Sequence, residues 1–213
     1  MSKRIVILVS GNGSNAQAII DACNNGRIKA SVVALISNKK DAFGLQRARK
    51  HNIDAISISH TDYGDRESFD LSLLEIIQSY RPDLVVLAGF MRILSSHFVD
   101  AFAGKLLNIH PSILPKYPGL HTHQRALDNG DKVHGSSVHF VTAELDGGPV
   151  VLKGIIDIMP QDDANSLATR LASTEWQIYP SVVEWFCDDR LTLIGDEVLL
   201  DNKTLPKGGI VYE

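Results

Sequence analysis

The chain has 213 residues, 44% of them hydrophobic and 22% charged, with 21 Lys and Arg against 25 Asp and Glu for a formal net charge of -4. That length and balance exclude a disordered chain and a mini-domain dependent on disulfides, and the charge supplies no general field for nucleic acid or an anionic membrane. Any anion must be held by a local site.

The first residues, up to Arg4, precede the apolar run Ile5 to Val9. This outline resembles a charged leader, but the run is too short for a signal peptide and passes directly into Gly11-Asn12-Gly13. No run approaches the roughly 18 apolar residues of a membrane span, so the cytoplasm is the expected compartment. Cys23 and Cys187 lie far apart with no CxxC partner, and both read as reduced, partly buried thiols.

Ile5 to Val9 is a continuous apolar run ending at glycine, as a buried parallel strand would be. Asn15 to Asn24 carries apolar residues at helical spacing, with Gly26 as a stop. A strand is predicted over Ala30 to Ile36, a helix over Phe43 to His51, a short strand over Ala55 to Ile58 and a longer helix over Asp65 to Tyr80, ended by Pro82. Leu84 to Ala88 is a buried strand, Ser95 an N-cap for a helix through Phe102, and Leu106 to Ile109 a strand running into His110-Pro111. This βα order predicts an α/β fold: one doubly wound, mostly parallel sheet with helices on both faces. Pro111 to Leu120, rich in proline, is expected as a mobile loop over a site. A helix over Thr122 to Asn129 follows, then strands over Ser136 to Val141 and Val150 to Ile158. A long helix over Ser166 to Phe186 is predicted to kink or break at Pro180, and Leu191 to Leu200 reads as a hairpin. With no repeat or linker, 1–213 is taken as one domain.

Three segments carry chemistry. Ser10 to Asn15 (SGNGSN) lies between the first strand and first helix. Glycines there permit a tight turn, and N–H groups at a helix start favour an anion. The segment also fits the loose dinucleotide fingerprint, but the second strand ends in Ser37-Asn38-Lys39-Lys40 without the acid that would hold a ribose. Phosphate binding, dinucleotide binding and a plain turn all remain open. Asn108-Ile109-His110 places an amide and an imidazole on one side of a strand end, a pairing suited to acyl transfer. A histidine hydrogen-bonded at a strand end without catalysis is the alternative. Glu144-Leu145-Asp146-Gly147-Gly148-Pro149 is either a turn or a device that aims Asp146 at His110; spacing alone cannot decide.

His121-Thr122-His123, with His134 and His139, raises the possibility of a metal. The pair falls at a helix start, where alternate residues diverge, so these histidines are read mostly as polar surface or loop residues and no metal is expected. Phe90, Met91, Ile93 and Leu94 follow a strand end and either pack in the core or wall a flat heterocycle.

Together these segments resemble the phosphoribosylglycinamide formyltransferase family, the folate-dependent glycinamide ribonucleotide transformylases. The matching pieces are SGNGSN (10–15), LAGFMRIL (87–94), the 106–123 segment, in which Ile113 replaces a leucine, and HFVTAELDGGPV (139–150). The likeness continues through Glu175 and Tyr179-Pro180. The NIHPS and DGGP pieces alone are similar to other formyl transferases and to formyltetrahydrofolate hydrolase, the alternative reading. No room is expected for the regulatory or tRNA-binding domains of those relatives.

The resemblance implies formyl transfer from 10-formyltetrahydrofolate, a cosubstrate, to the amine of glycinamide ribonucleotide in purine biosynthesis, with no permanently bound cofactor. It implies Asn108, His110 and Asp146 as the catalytic set. It implies Gly11, Asn12, Gly13, Ser14, Asn15 and Glu175 as ribonucleotide contacts. Folate contacts would be Arg66, Met91, Arg92, Ile93, Leu94, Asn108, Thr142, Ala143, Glu144, Leu145 and Asp146. Residues 1–105 would then hold the ribonucleotide phosphate and 106–213 the catalytic and folate side, in a monomer or homodimer acting on small molecules. A nicotinamide oxidoreductase and a catalytically silent folate or phosphate binder are the rival classes. The missing acid after the second strand speaks against the first, and the intact catalytic set against the second.

Overall fold

Ile5 to Val9 are wholly buried, because the strand that holds them, β1 (Lys3–Val9), is paired on both sides. Its neighbours β2 (Ala30–Ser37) and β4 (Leu84–Leu87) run parallel to it, so that Ile7 lies between Leu35 and Val86. Each such Ile, Leu or Val contributes about 1.5–3 kcal/mol when buried, which makes β1 the anchor of its neighbourhood. A fourth parallel strand, β3 (Asp54–Ser57), extends the sheet beyond β2. These strands belong to the first of two compact units into which the computed structural model divides, one up to Leu107 and one from Asn108 onward. The structure describes residues 2–212.

Helices join the strands of the first unit. They are α1 (Ser14–Asn24), α2 (Phe43–Lys50), α3 (Arg66–Ser79) and α4 (Ser96–Ala101), with β5 (Leu106–His110) at the unit boundary. The predicted cap is present: Ser95 accepts a hydrogen bond from the Phe98 amide at the start of α4, and Asp65, expected as the first residue of its helix, caps α3 by accepting one from the Ser68 amide.

The second unit contains α5 (Thr122–Asp128), β6 (Val133–Phe140), β7 (Val150–Asp157) and α6 (Ala164–Cys187). β6 runs antiparallel to β7. With the parallel pairs of the first unit, this gives the α/β class and mostly parallel sheet that the βα order implied. A small antiparallel sheet of β8 (Leu191–Ile194), β9 (Glu197–Leu200) and β10 (Lys203–Thr204) contains the predicted hairpin. β11 (Ile210–Val211) then returns to pair in parallel with β7, which the short, mixed-polarity tail did not foreshadow.

Three expectations need correction. Pro180 does not break α6, which runs unbroken across it. Leu167, Leu171, Ile178, Tyr179, Val182, Val183 and Cys187 are buried along both halves, and that packing outweighs the backbone bond that proline cannot donate. The same helix begins at Ala164, where Asp163 and Ser166 form a capping box, two residues before the expected start. The strand expected from Ser136 begins at Val133, and with it His134 and His139 are 1% and 2% exposed. They are interior strand residues, not surface or loop ones, because β6 is covered from His134 through Phe140 and its polar side chains find partners inside.

Candidate active site

In the first unit the glycine loop is shaped by α2. Gly13 has a φ of 71°, the left-handed region that a residue with a side chain reaches only under strain. A Cβ there would stand 2.9 Å from the Gly44 Cα, so the loop and α2 touch backbone to backbone. The Gly44 amide donates to the Gly11 carbonyl at 3.0 Å, and the Arg47 guanidinium donates to the Asn12 carbonyl and side-chain oxygen, each at 2.9 Å. Helix α1 begins at Ser14, leaving the first amides of its opening turn at the loop. Below the loop, the Ser10 hydroxyl donates to Asn38 Oδ1 at 2.6 Å and accepts from the Met91 amide at 2.7 Å. One hydroxyl thus ties the base of the loop to the 90–94 segment.

On that segment Met91 and Ile93 are 66% and 56% exposed, whereas Leu94 is buried. Core packing therefore fails for the first two, and their exposed apolar surface suits a flat ring. The Arg92 guanidinium lies 5.2 Å from the centre of the Phe69 ring. Arg66, in the first turn of α3, is half exposed, with Glu67 at 3.8 Å. Its setting carries nothing distinctive.

The second unit brings together the three residues singled out for acyl transfer. Asp146 Oδ2 lies 3.4 Å from His110 Nδ1, both side chains being less than a tenth exposed. The same oxygen accepts from the Gly119 amide at 2.8 Å. Asp146 has a φ of 51°, and a methyl group on Gly148 would overlap the Phe140 carbonyl oxygen. The Asp-Gly-Gly turn therefore needs its glycines to hold the carboxylate where it is, and it is more than a connector. His110 Nε2 donates to the Tyr117 carbonyl at 2.8 Å. Around the turn, Thr142 is half-buried and Ala143, Glu144 and Leu145 are exposed.

β6 supplies what the sequence reading missed. Asn108 Nδ2 donates to His139 Nε2 at 3.1 Å, while His139 Nδ1 donates to the Phe140 carbonyl at 2.9 Å. Burial pushes the His139 pKa down, which keeps the ring neutral and its Nε2 an acceptor. Ser136 donates to Glu175 Oε1 at 2.6 Å and so orients a carboxylate on α6. Ser137 donates to the Ser112 carbonyl at 2.7 Å and accepts from the Leu114 amide at 3.1 Å. The 111–120 loop is therefore pinned to β6 at its start. The available signal was a run of small and polar residues, His134 to His139, in a segment with strand character.

His123 Nδ1 and His134 Nε2 are 3.0 Å apart, and His134 also bonds the Pro111 backbone. Burial, followed by the nearby His123, pushes the His134 pKa down to about 4. Unfolded histidine titrates near 6.5, so the unfolded chain binds more protons between those values. The contribution of the neutral ring is complete above about pH 6.5 and declines as the pH falls towards 4. Between pH 7.5 and 5 it should fall by about 2 kcal/mol. Urea unfolding of the wild type and of His134→Asn at the two pH values measures this. Equal losses in both proteins would refute it.

The sequence pattern of the formyl transferase family matches residues 3–183. The phosphoribosylglycinamide formyltransferase of Escherichia coli strain K12 is 54% identical over 205 residues, spanning 96% of this chain and 97% of that protein. The trifunctional purine biosynthetic protein adenosine-3 of Drosophila melanogaster is 46% identical over 180 residues, which is 84% of this chain and 13% of that larger protein. The solved structure of the phosphoribosylglycinamide formyltransferase of Coxiella burnetii, in complex with CHES, superimposes with a TM-score of 0.95 at 45% identity, each chain covered in full.

Proposed function

Because this chain belongs to the formyl transferase family, among its phosphoribosylglycinamide formyltransferases, we infer that it transfers the formyl group of 10-formyltetrahydrofolate to the amine of N1-(5-phospho-D-ribosyl)glycinamide. The products are the N-formyl ribonucleotide and tetrahydrofolate, and the step belongs to purine biosynthesis. The folate is a cosubstrate, and no cofactor is permanently bound. The observation that carries the chemistry is the carboxylate of Asp146 3.4 Å from His110 Nδ1, with Asn108 nearby on β5.

In this reading the substrate amine attacks the formyl carbon. The tetrahedral intermediate has a negative oxygen, a nitrogen that must lose a proton and a folate nitrogen that must gain one. The Asn108 amide and the His110 ring stabilise the oxygen, and His110 supplies the leaving nitrogen's proton. Asp146 holds the imidazole by its Nδ1 side and receives the amine's proton through water. Neutral His139 fixes the Asn108 amide by accepting one of its two N–H groups, which leaves the other for the oxygen. His110 Nε2 faces the Tyr117 carbonyl, so that contact must be exchanged for the substrate before the proton moves.

Gly11 to Asn15 take the phosphate on their backbone amides, and Glu175 takes hydroxyls or the amine end of the ribonucleotide. Met91 to Leu94 and Thr142 to Asp146 take the pterin ring, and Arg66 the folate side. The enzyme works in the cytoplasm as a monomer or homodimer. Among the described residues no helix is long and apolar enough to cross a membrane.

The test mixes the protein with both substrates and follows formylated product. Parallel reactions without the amine measure hydrolysis of the donor. Formylated product that depends on the ribonucleotide is the expected result; tetrahydrofolate released at the same rate without the amine would instead mark a hydrolase.

A further inference from the structure

The glycine loop owes its shape to α2 as well as to its own glycines. The C=O of one residue and the N–H of the next point in opposite directions across a trans peptide. The Gly11 carbonyl points at α2, where the Gly44 amide donates to it at 3.0 Å. The Asn12 carbonyl points the same way, to Arg47 Nε at 2.9 Å. The amides of Asn12 and Gly13 must therefore both point away from α2. Two successive amides aimed together form a concave anion receptor.

Arg47 makes three of these fastenings. Besides Asn12 O, its guanidinium donates to Asn12 Oδ1 at 2.9 Å and to Gln17 Oε1 on α1 at 3.3 Å. Its guanidinium carbon lies 4.8 Å from the centre of the Phe43 ring. A planar fork with one donor on the loop backbone, one on the loop side chain and one on α1 fixes a plane, which a single ammonium cannot do. With its donors turned to Asn12 and Gln17, the guanidinium acts on a ligand of the loop by turning the peptide between Asn12 and Gly13.

We propose that Arg47 is a positioning residue for the phosphate of the ribonucleotide, acting by holding the Asn12 carbonyl so that the Gly13 amide faces the anion. The proposal rests on the reading of Gly11 to Asn15 as the phosphate loop. It predicts that affinity for the phosphorylated substrate depends on a residue that never touches it.

Arg47→Met keeps the aliphatic stem and removes the fork. It should raise the KM for the ribonucleotide by about tenfold to a hundredfold, the worth of one charge-assisted hydrogen bond. Turnover at saturation should change by less than about threefold, and the KM for 10-formyltetrahydrofolate should stay in place, since binding rather than chemistry is lost. With the unphosphorylated glycinamide riboside as substrate, wild type and variant should have the same kcat/KM. Arg47→Lys keeps the charge and should remain impaired. Full recovery of KM in Arg47→Lys would show simple charge attraction and overturn the proposal. An unchanged ribonucleotide KM in Arg47→Met would do the same, whatever its thermal stability. Gly13→Val separates the two layers. If it weakens the ribonucleotide while Arg47→Met does not, the loop reading stands and the positioning claim fails. If neither variant matters and the wild type does not prefer the phosphorylated substrate, the loop reading itself fails.

Discussion

Replacing Asp146 by asparagine is expected to lower turnover by roughly two to four powers of ten, the range for loss of a group that works with a general acid–base residue. The substitution is a narrow one. Asparagine keeps the shape, tolerates the φ of 51° at this position and can still accept from the Gly119 amide with its side-chain oxygen. What it removes is the negative charge 3.4 Å from His110 Nδ1. A protonated imidazole then has no counter-charge there, and the amine's proton has no carboxylate to receive it. The ribonucleotide KM should stay within about threefold, because the charge acts on the reacting groups rather than on the bound phosphate. Steady-state kinetics together with thermal unfolding check this. Turnover within tenfold of wild type would reduce Asp146 to a turn residue.

Gly13→Val should have the second largest effect, and on binding. A β-branched residue at a φ of 71° is strained, by about 1–3 kcal/mol, and its Cβ would stand 2.9 Å from the Gly44 Cα. The loop must move away from α2, which turns the Asn12 and Gly13 amides off the anion. Two hydrogen bonds to a charged group, each worth about 1.5–3 kcal/mol, amount to a hundredfold or more in affinity. Folate affinity should change by less than about threefold. Calorimetric titration of each ligand separates the cases, and equal losses for both would mean that the unit had collapsed rather than that a phosphate site had been blocked.

The parts of the site legible in the sequence are those made by neighbours along the chain. β1 and the glycine loop follow from a continuous apolar run meeting glycines, and the Ser95 cap from a side chain bonding an amide three residues on. Asn108 and His110 share a side of β5 by strand alternation. The meeting of Asp146 with His110 spans 36 positions and depends on where the Asp-Gly-Gly turn lands, which no local pattern encodes. β6 was misjudged because a segment reading HGSSVH is polar enough to suggest partial exposure. Its polarity is internal, satisfied by Asn108, Glu175 and the 111–114 backbone. The role of Arg47 was hidden for a similar reason. In sequence it is one basic residue among three on a short helix end, and only the fold brings it to a carbonyl 35 positions earlier.

The polar interior of β6 bears on attempts to make the protein more heat-tolerant. Ser136 and Ser137 are wholly buried, and His139 nearly so. An engineer ranking positions by burial would mark all three for apolar replacement, although a larger side chain in a filled interior costs about 1–3 kcal/mol. Here each would remove a hydrogen-bond partner, that of the Glu175 carboxylate, of the 112–114 backbone or of the Asn108 amide. β6 is thus an interior strand whose polar side chains hold neighbouring groups in place instead of packing as apolar ones. Stabilising substitutions should be sought in the small sheet of β8 to β10, where Thr192 pairs with Leu199 and Lys203 with Leu200.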